Sequence, residues 1–139
     1  MKRFLSKTIA AFSSGLVVLM APIALSQTVQ TPLRSTVQVT GNSGGTQTND
    51  ACRGFMFSAT PAQVIQVTEP SASLSFRAEG SGQLALLVTG AGSPICVPST
   101  GAGEGVTIPG VWQRGTYSVF VGDRATTGSP FTLSIVQEN

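Results

Sequence analysis

Between residues 73 and 79 apolar and polar side chains alternate without a break. Leu74, Phe76 and Ala78 fall on one side of an extended chain, and Ser75, Arg77 and Glu79 fall on the other. A side-chain period of two belongs to a strand with one buried face. The pattern returns over residues 116–121, with Tyr117, Val119 and Val121 on one face. It returns again over residues 131–135, where Phe131, Leu133 and Ile135 oppose Thr132 and Ser134. Shorter strand signals, separated by Gly or Pro, cover residues 52–57, 63–68, 95–97 and 106–108. Residues 83–89 are apolar on both faces and are therefore expected at the centre of a sheet. The link from Gly122 to Pro130 is long for a tight hairpin, and the strands on either side are expected as neighbours joined by a surface loop. After residue 26 nothing carries the 3.6-residue period of a helix, and no long repeat is present. About seven or eight short strands at such spacing predict an all-β, antiparallel sandwich. Its expected core is Leu74, Phe76, Leu84, Leu86, Val88, Tyr117, Val119, Val121, Phe131, Leu133 and Ile135.

Residues 1–26 read as a secretory signal peptide. Lys2, Arg3 and Lys7 form a basic start, an apolar stretch follows to Leu25, and Ala24-Leu25-Ser26 offers a small-residue cleavage site before Gln27. Ser13, Ser14, Gly15 and Pro22 interrupt the stretch, so a retained membrane span is not expected. The mature chain is expected to be secreted, to the periplasm or the medium. Residues 27–50, rich in Thr, Gln, Ser, Gly and Asn, are expected as a flexible polar lead-in, with at most one edge strand near residues 36–40. The sandwich domain is assigned to residues 51–139.

Export changes the charge reading. The whole chain has a formal net charge of +2, but every Lys lies before residue 27. What remains is five Arg (Arg34, Arg53, Arg77, Arg114, Arg124) against six acids, a net charge of −1. With no cluster of positive charge, nucleic acid is excluded as a partner. Cys52 and Cys96 both lie in the exported part and read as one disulfide. Closing a loop of that length stabilises a small domain by about 4 kcal/mol in the chain-entropy model.

Two C-terminal pieces carry a resemblance. Gly115-Thr116-Tyr117-Ser118-Val119-Phe120-Val121-Gly122 resembles the G-T-Y-x-V-x-V strand of bacterial pre-peptidase C-terminal domains. Pro130-Phe131-Thr132-Leu133-Ser134-Ile135 resembles their closing strand. Leu74-Ser75-Phe76 and Leu84-Ala85-Leu86-Leu87-Val88 fit the two earlier core strands, and Cys52-Arg53-Gly54-Phe55 with a second Cys downstream is similar to small secreted bacterial proteins of this layout. The resemblance covers roughly residues 52–136. It implies a jelly-roll-like sandwich and a non-catalytic module of the kind that rides behind secreted hydrolases, associated with secretion, substrate contact or maturation. No catalytic domain accompanies these residues, so what the module assists is expected to be a separate molecule or nothing. Family members often place acids before the L-x-L strand, and some hold calcium there. Here that position reads Gly82-Gln83-Leu84, and the loop after Cys96 has one acid, Glu104. Calcium takes six to eight oxygens, usually from several carboxylates, so neither metal nor cofactor is expected.

The chemistry available is narrow. Without a single His there is no Ser-His-Asp triad and no His base for a thiol or hydroxyl. The glycine-rich run at residues 101–105 lacks the strand, helix and Lys of a phosphate-binding loop. A carboxylate pair would have to come from Glu69, Glu79 and Glu104, and Glu79 lies on a solvated face beside Arg77. The chain is therefore expected not to be an enzyme. The remaining candidate is binding. Trp112 and Arg114 are residue types that dominate hot spots, and Arg53 and Arg124 are a second candidate cluster near the disulfide. Against this stands packing of Trp112 over the end of the sandwich. The sequence thus points to a secreted binding or accessory module contacting an envelope or secreted protein or a polysaccharide. A structural or self-assembling surface protein is the alternative, and a carboxylate hydrolase comes after it.

Overall fold

A computed structural model describes Gly15 and residues 28–138. The signal-peptide assignment concerns residues outside that set. Seven strands follow in order: β1 (Thr28–Gln30), β2 (Val37–Asn42), β3 (Gln63–Gly80), β4 (Leu84–Thr89), β5 (Ile95–Pro98), β6 (Val106–Asp123) and β7 (Pro130–Glu138). No helix among the described residues is long and apolar enough to cross a membrane.

The architecture follows from two strands that change sheets. β3 and β6 are each 18 residues long and pair antiparallel along almost their whole length. Their register shifts between Val67 and Ser71, a bulge that contains Thr68, Glu69 and Pro70. On one side of the bulge, residues 71–80 of β3 lie between residues 106–113 of β6 and β7, and β2 closes that sheet. On the other, residues 63–67 of β3 lie between β1 and residues 115–119 of β6, which continues to β4 and then β5. Bulges bend strands and raise their twist, and here one bend turns a continuous sheet into two facing layers. Among the described strands, β1 alone runs parallel to its neighbour.

All eleven expected core residues are buried, and they share one cluster with Ile65, Val67, Ile108 and Trp112. The alternation had a correct phase in every strand where it was clear. The segments read separately at 63–68 and 73–79, and at 106–108 and 116–121, are instead halves of β3 and β6. Pro70 looks like a terminator in sequence, but at a bulge its missing N–H removes no ladder bond. The link at residues 124–129 carries the chain from the β6 end of one sheet to β7 in the other, so the two strands expected as neighbours are separated by β3.

Residues 52–57 are not a strand, contrary to expectation. A short 3-10 turn, Asp50–Cys52, is followed by isolated bridges from Phe57 to Gln47 and from Met56 to Asp123. This flap lies on the outer face of β4. Phe55, Phe57 and Cys52 are buried there with Ala85 and Leu87, and Phe120 and Cys96 pack alongside. The reason β4 is apolar on both faces is that both are covered. The expected disulfide, Cys52–Cys96, joins the flap to β5 with the Cα atoms 5.5 Å apart. Gly122 is needed beneath the flap, because a Cβ there would collide with the Phe57 ring. Residues 28–50, expected as a lead-in, place β1 and β2 in the two sheets. The edge strand expected near residues 36–40 is β2, and its Val37 and Val39 pack against the main core.

Candidate binding face

The sandwich opens between two edge strands, β5 of one sheet and residues 106–113 of β6 in the other. The local sequence explains what fills the opening. Along this part of β6, Val106, Ile108, Gly110 and Trp112 share the inward phase. Gly110 has no side chain, and the indole of Trp112 lies over it, with Nε1 3.4 Å from where a Cβ would be. That indole is only 7% exposed. Its Nε1 donates to the Leu74 carbonyl at 3.2 Å. Phe76 and Tyr117 meet it edge-to-face, with centroids 5.1 and 5.3 Å away. Trp112 therefore seals the open side from within rather than offering a bare ring to a ligand.

What it leaves at the surface is aliphatic. Val111, in the outward phase, is 72% exposed, and Ile95 is 41% exposed. Ile95 pairs with the inward-facing Val88, yet stays partly exposed at the edge of the sheet. With Ala91, Pro109 and the edges of Trp112 and Tyr117 they line a shallow groove of about 390 Å³. Neither Ile95 nor Val111 stood out in the sequence. The signal for Val111 was an apolar residue out of phase with its neighbours.

The bend beside this face is tied down. Tyr117 donates its hydroxyl to the Gln113 carbonyl at 2.8 Å, and Arg114 Nε donates to the Thr68 carbonyl at 3.0 Å. Thr68 in turn is held by Thr31 through its amide and its hydroxyl. Arg114 is exposed but serves the bend with at least one nitrogen. Arg53 and Arg124 belong to the other end of β6. Arg53 is exposed on the flap, and the Arg124 guanidinium sits 5.2 Å from the centroid of the Phe55 ring. At about 3.3 Å per residue, Arg114 and Arg124 are roughly 30 Å apart along the strand, so the four candidates form two groups.

The acids are also dispersed. Glu69 accepts from Gln137 Nε2 at the bulge. Glu79, at the far end of β3 and roughly 30 Å away by the same rise, is in an exposed pair with Arg77. Glu104 is exposed in the loop after β5. Among the described residues no three metal-ligating side chains gather.

One acid that sequence inspection passed over is buried. Asp123, 2% exposed, takes the Ser43 and Ser129 hydroxyls on Oδ2 at 2.7 and 2.9 Å and the Ala125 N–H on Oδ1 at 2.9 Å. Burial pushes its carboxyl up, but these hydrogen bonds outweigh burial and hold it below the ordinary value. Its backbone also pairs with Met56, so one residue fastens the flap, the segment after β2 and the β6–β7 link. Gly128, at φ +67°, is needed there, since a side chain would strike the Ser43 carbonyl. The clue in sequence was an acid ending an apolar strand and entering a Gly/Ser/Pro loop.

No family model matches the chain. An uncharacterized protein of Synechococcus elongatus is 29% identical over 119 residues, which span 82% of this chain and 87% of that protein. Among solved structures, the chain is similar to the pre-peptidase C-terminal domain of a collagenase from Bacillus anthracis. The TM-score is 0.49 at 9% identity, over 80% of this chain and 96% of that one. It is less similar to the globular domain of the zebrafish complement 1qA protein, with a TM-score of 0.35 at 12% identity, over 73% of this chain and 94% of that one.

Proposed function

We propose that this chain is an exported, non-catalytic docking module whose partner is a protein of the envelope or the surrounding medium. The observation that carries the reading is the aliphatic groove at the open side of the sandwich, with Val111 72% and Ile95 41% exposed. Large apolar side chains grouped at a surface favour protein contact. A polysaccharide would instead use a flat aromatic face, and the Trp112 ring is enclosed by Phe76 and Tyr117. The basic and apolar amino terminus and the Cys52–Cys96 disulfide support export to an oxidising compartment. The strand motifs shared with pre-peptidase modules support an accessory rather than a chemical role.

The test is capture from the host's envelope and secreted fractions, before and after protease treatment of those fractions, with wild type and Val111→Asp. The expected result is a bound protein component that protease removes and that Val111→Asp captures at least about ten-fold less, with an unchanged melting temperature. A charge at the centre of an apolar contact readily costs that much. Protease-resistant capture would replace the protein partner with a polysaccharide. Capture indifferent to Val111→Asp would move the site elsewhere.

A further inference from the structure

We infer that β2 is a self-pairing edge through which two copies of this chain join their sheets. Unpaired strand edges present free N–H and C=O groups, and proteins usually blunt them with proline, charge or shortness. Three of the edges here are blunted. β1 has three residues and is followed by Pro32, β5 has four residues, is preceded by Pro94 and ends on Pro98, and the free part of β6 contains Pro109. β2 is six residues, Val-Gln-Val-Thr-Gly-Asn, without proline or charge. Its partner β7 engages the backbone groups of alternate residues, so the others face outward.

That outward edge is not buried under another part of the described chain. It borders a groove of about 550 Å³ lined by all six residues of β2, by Ser58 and residues 60–63, and by Phe120, Val121 and Phe131. No charged side chain lines the groove. A strongly charged peptide would find no counter-ion there. A second β2 would find a neutral surface, and the net charge of residues 27–139 is only −1, so copies repel weakly at long range.

The pleat fixes the geometry. An antiparallel pair related by a two-fold axis normal to the sheet keeps the inner faces of both copies on the same side only if opposite residues share a face. Centring the axis on Val39 pairs residues 37–41 of the two copies. It sets Val39 against the partner's Val39, and Gln38 against the partner's Thr40. Val37 and Val39, each half-buried at the margin of the core, are then covered, while Gln38 and Thr40 meet as neutral hydrogen-bonding neighbours in solvent.

The test is sedimentation equilibrium of the mature protein from about 1 μM to about 1 mM, a range that covers weak association. Two double variants accompany wild type: Gln38→Lys with Thr40→Lys, and Gln38→Glu with Thr40→Glu. Both positions are exposed, so both variants are expected to fold. Wild type should dimerise. Each variant, with like charges set directly opposite, should dimerise at least about ten-fold less tightly. An equimolar mixture of the two should associate again. In wild type, amide exchange at Gln38 and Thr40, whose backbone groups face away from β7, should slow as concentration rises. A wild type that stays monomeric throughout overturns the inference. So does a dimer unaffected by the two variants, or a mixture that does not associate, or a dimer lost in Val111→Asp. This inference does not depend on the Val111 groove, and either can fail while the other stands.

Discussion

Asp123→Ala is the perturbation whose size is most readily worked out. The carboxylate is 2% exposed and accepts from two hydroxyls and one amide. A hydrogen bond to a charged group contributes about 1.5–3 kcal/mol, and a buried donor left unpaired costs about 1–3 kcal/mol. Not all of that is lost on truncation. Ser43 Oγ already lies 3.0 Å from the Ser129 carbonyl and 3.2 Å from Ser129 Oγ, so the hydroxyls can turn to each other. The Ala125 amide has no such alternative among these groups. The expected net loss is about 3 kcal/mol, or about 12 °C in melting temperature for a domain of this size. Asp123→Asn keeps an oxygen for the Ala125 amide and can donate to a serine, so about 1 kcal/mol is expected.

The pH dependence gives an independent check. In the folded chain the Asp123 carboxyl is held below its ordinary 3.8. As pH falls, the unfolded chain therefore binds the proton first. The stabilisation by the charge is complete above the unfolded value and is lost as pH drops through the folded one. Urea unfolding of wild type, Asp123→Ala and Asp123→Asn at pH 7 and near pH 2 tests this. The gap between wild type and Asp123→Asn should be full at pH 7 and smaller near pH 2. A cost for Asp123→Ala below about 1 kcal/mol, or a gap independent of pH, would show that the Asp123 carboxylate does not hold these segments together.

Two further outcomes are expected. Trp112→Ala should lower stability by about 3–5 kcal/mol in urea unfolding, and Trp112→Phe, which leaves the Leu74 carbonyl without its donor, by about 1–2 kcal/mol; a neutral Trp112→Ala would show that the indole does not seal the core. Replacing Cys52 and Cys96 with Ser should remove roughly 4 kcal/mol. Amide exchange should then accelerate first at Gln47 and Phe57, whose amides bond each other's carbonyls, and uniform acceleration would show that the flap is not a separate opening unit.

The parts of this fold that sequence reveals are those where one side-chain property repeats along one strand. Leu74, Phe76, Leu133 and Ile135 are legible because a pleat forces alternate residues to the same face. The parts that stay hidden depend on what a strand meets from elsewhere in the chain. Residues 28–50 look too polar to order themselves, and by burial alone they are. They are held by backbone pairing to β3 and β7 and by the bond from Ser43 to Asp123, which lies 80 positions later. Phe55 and Phe57 alternate like a strand, yet they are a cover. The sign of a cover lies in β4, whose second apolar face, Ala85 and Leu87, needs something to bury it. A disulfide binding that same phenylalanine segment to the strand beside β4 names the cover. The binding face follows the same logic. Trp112 drew attention by residue type, but Gly110 gives its ring an inward place to lie and leaves Val111, its neighbour in the opposite phase, at the surface. In a sandwich whose edges are open, the residues available to a partner are those that the core's largest side chain excludes, and they are found by following the phase of the strand on either side of it.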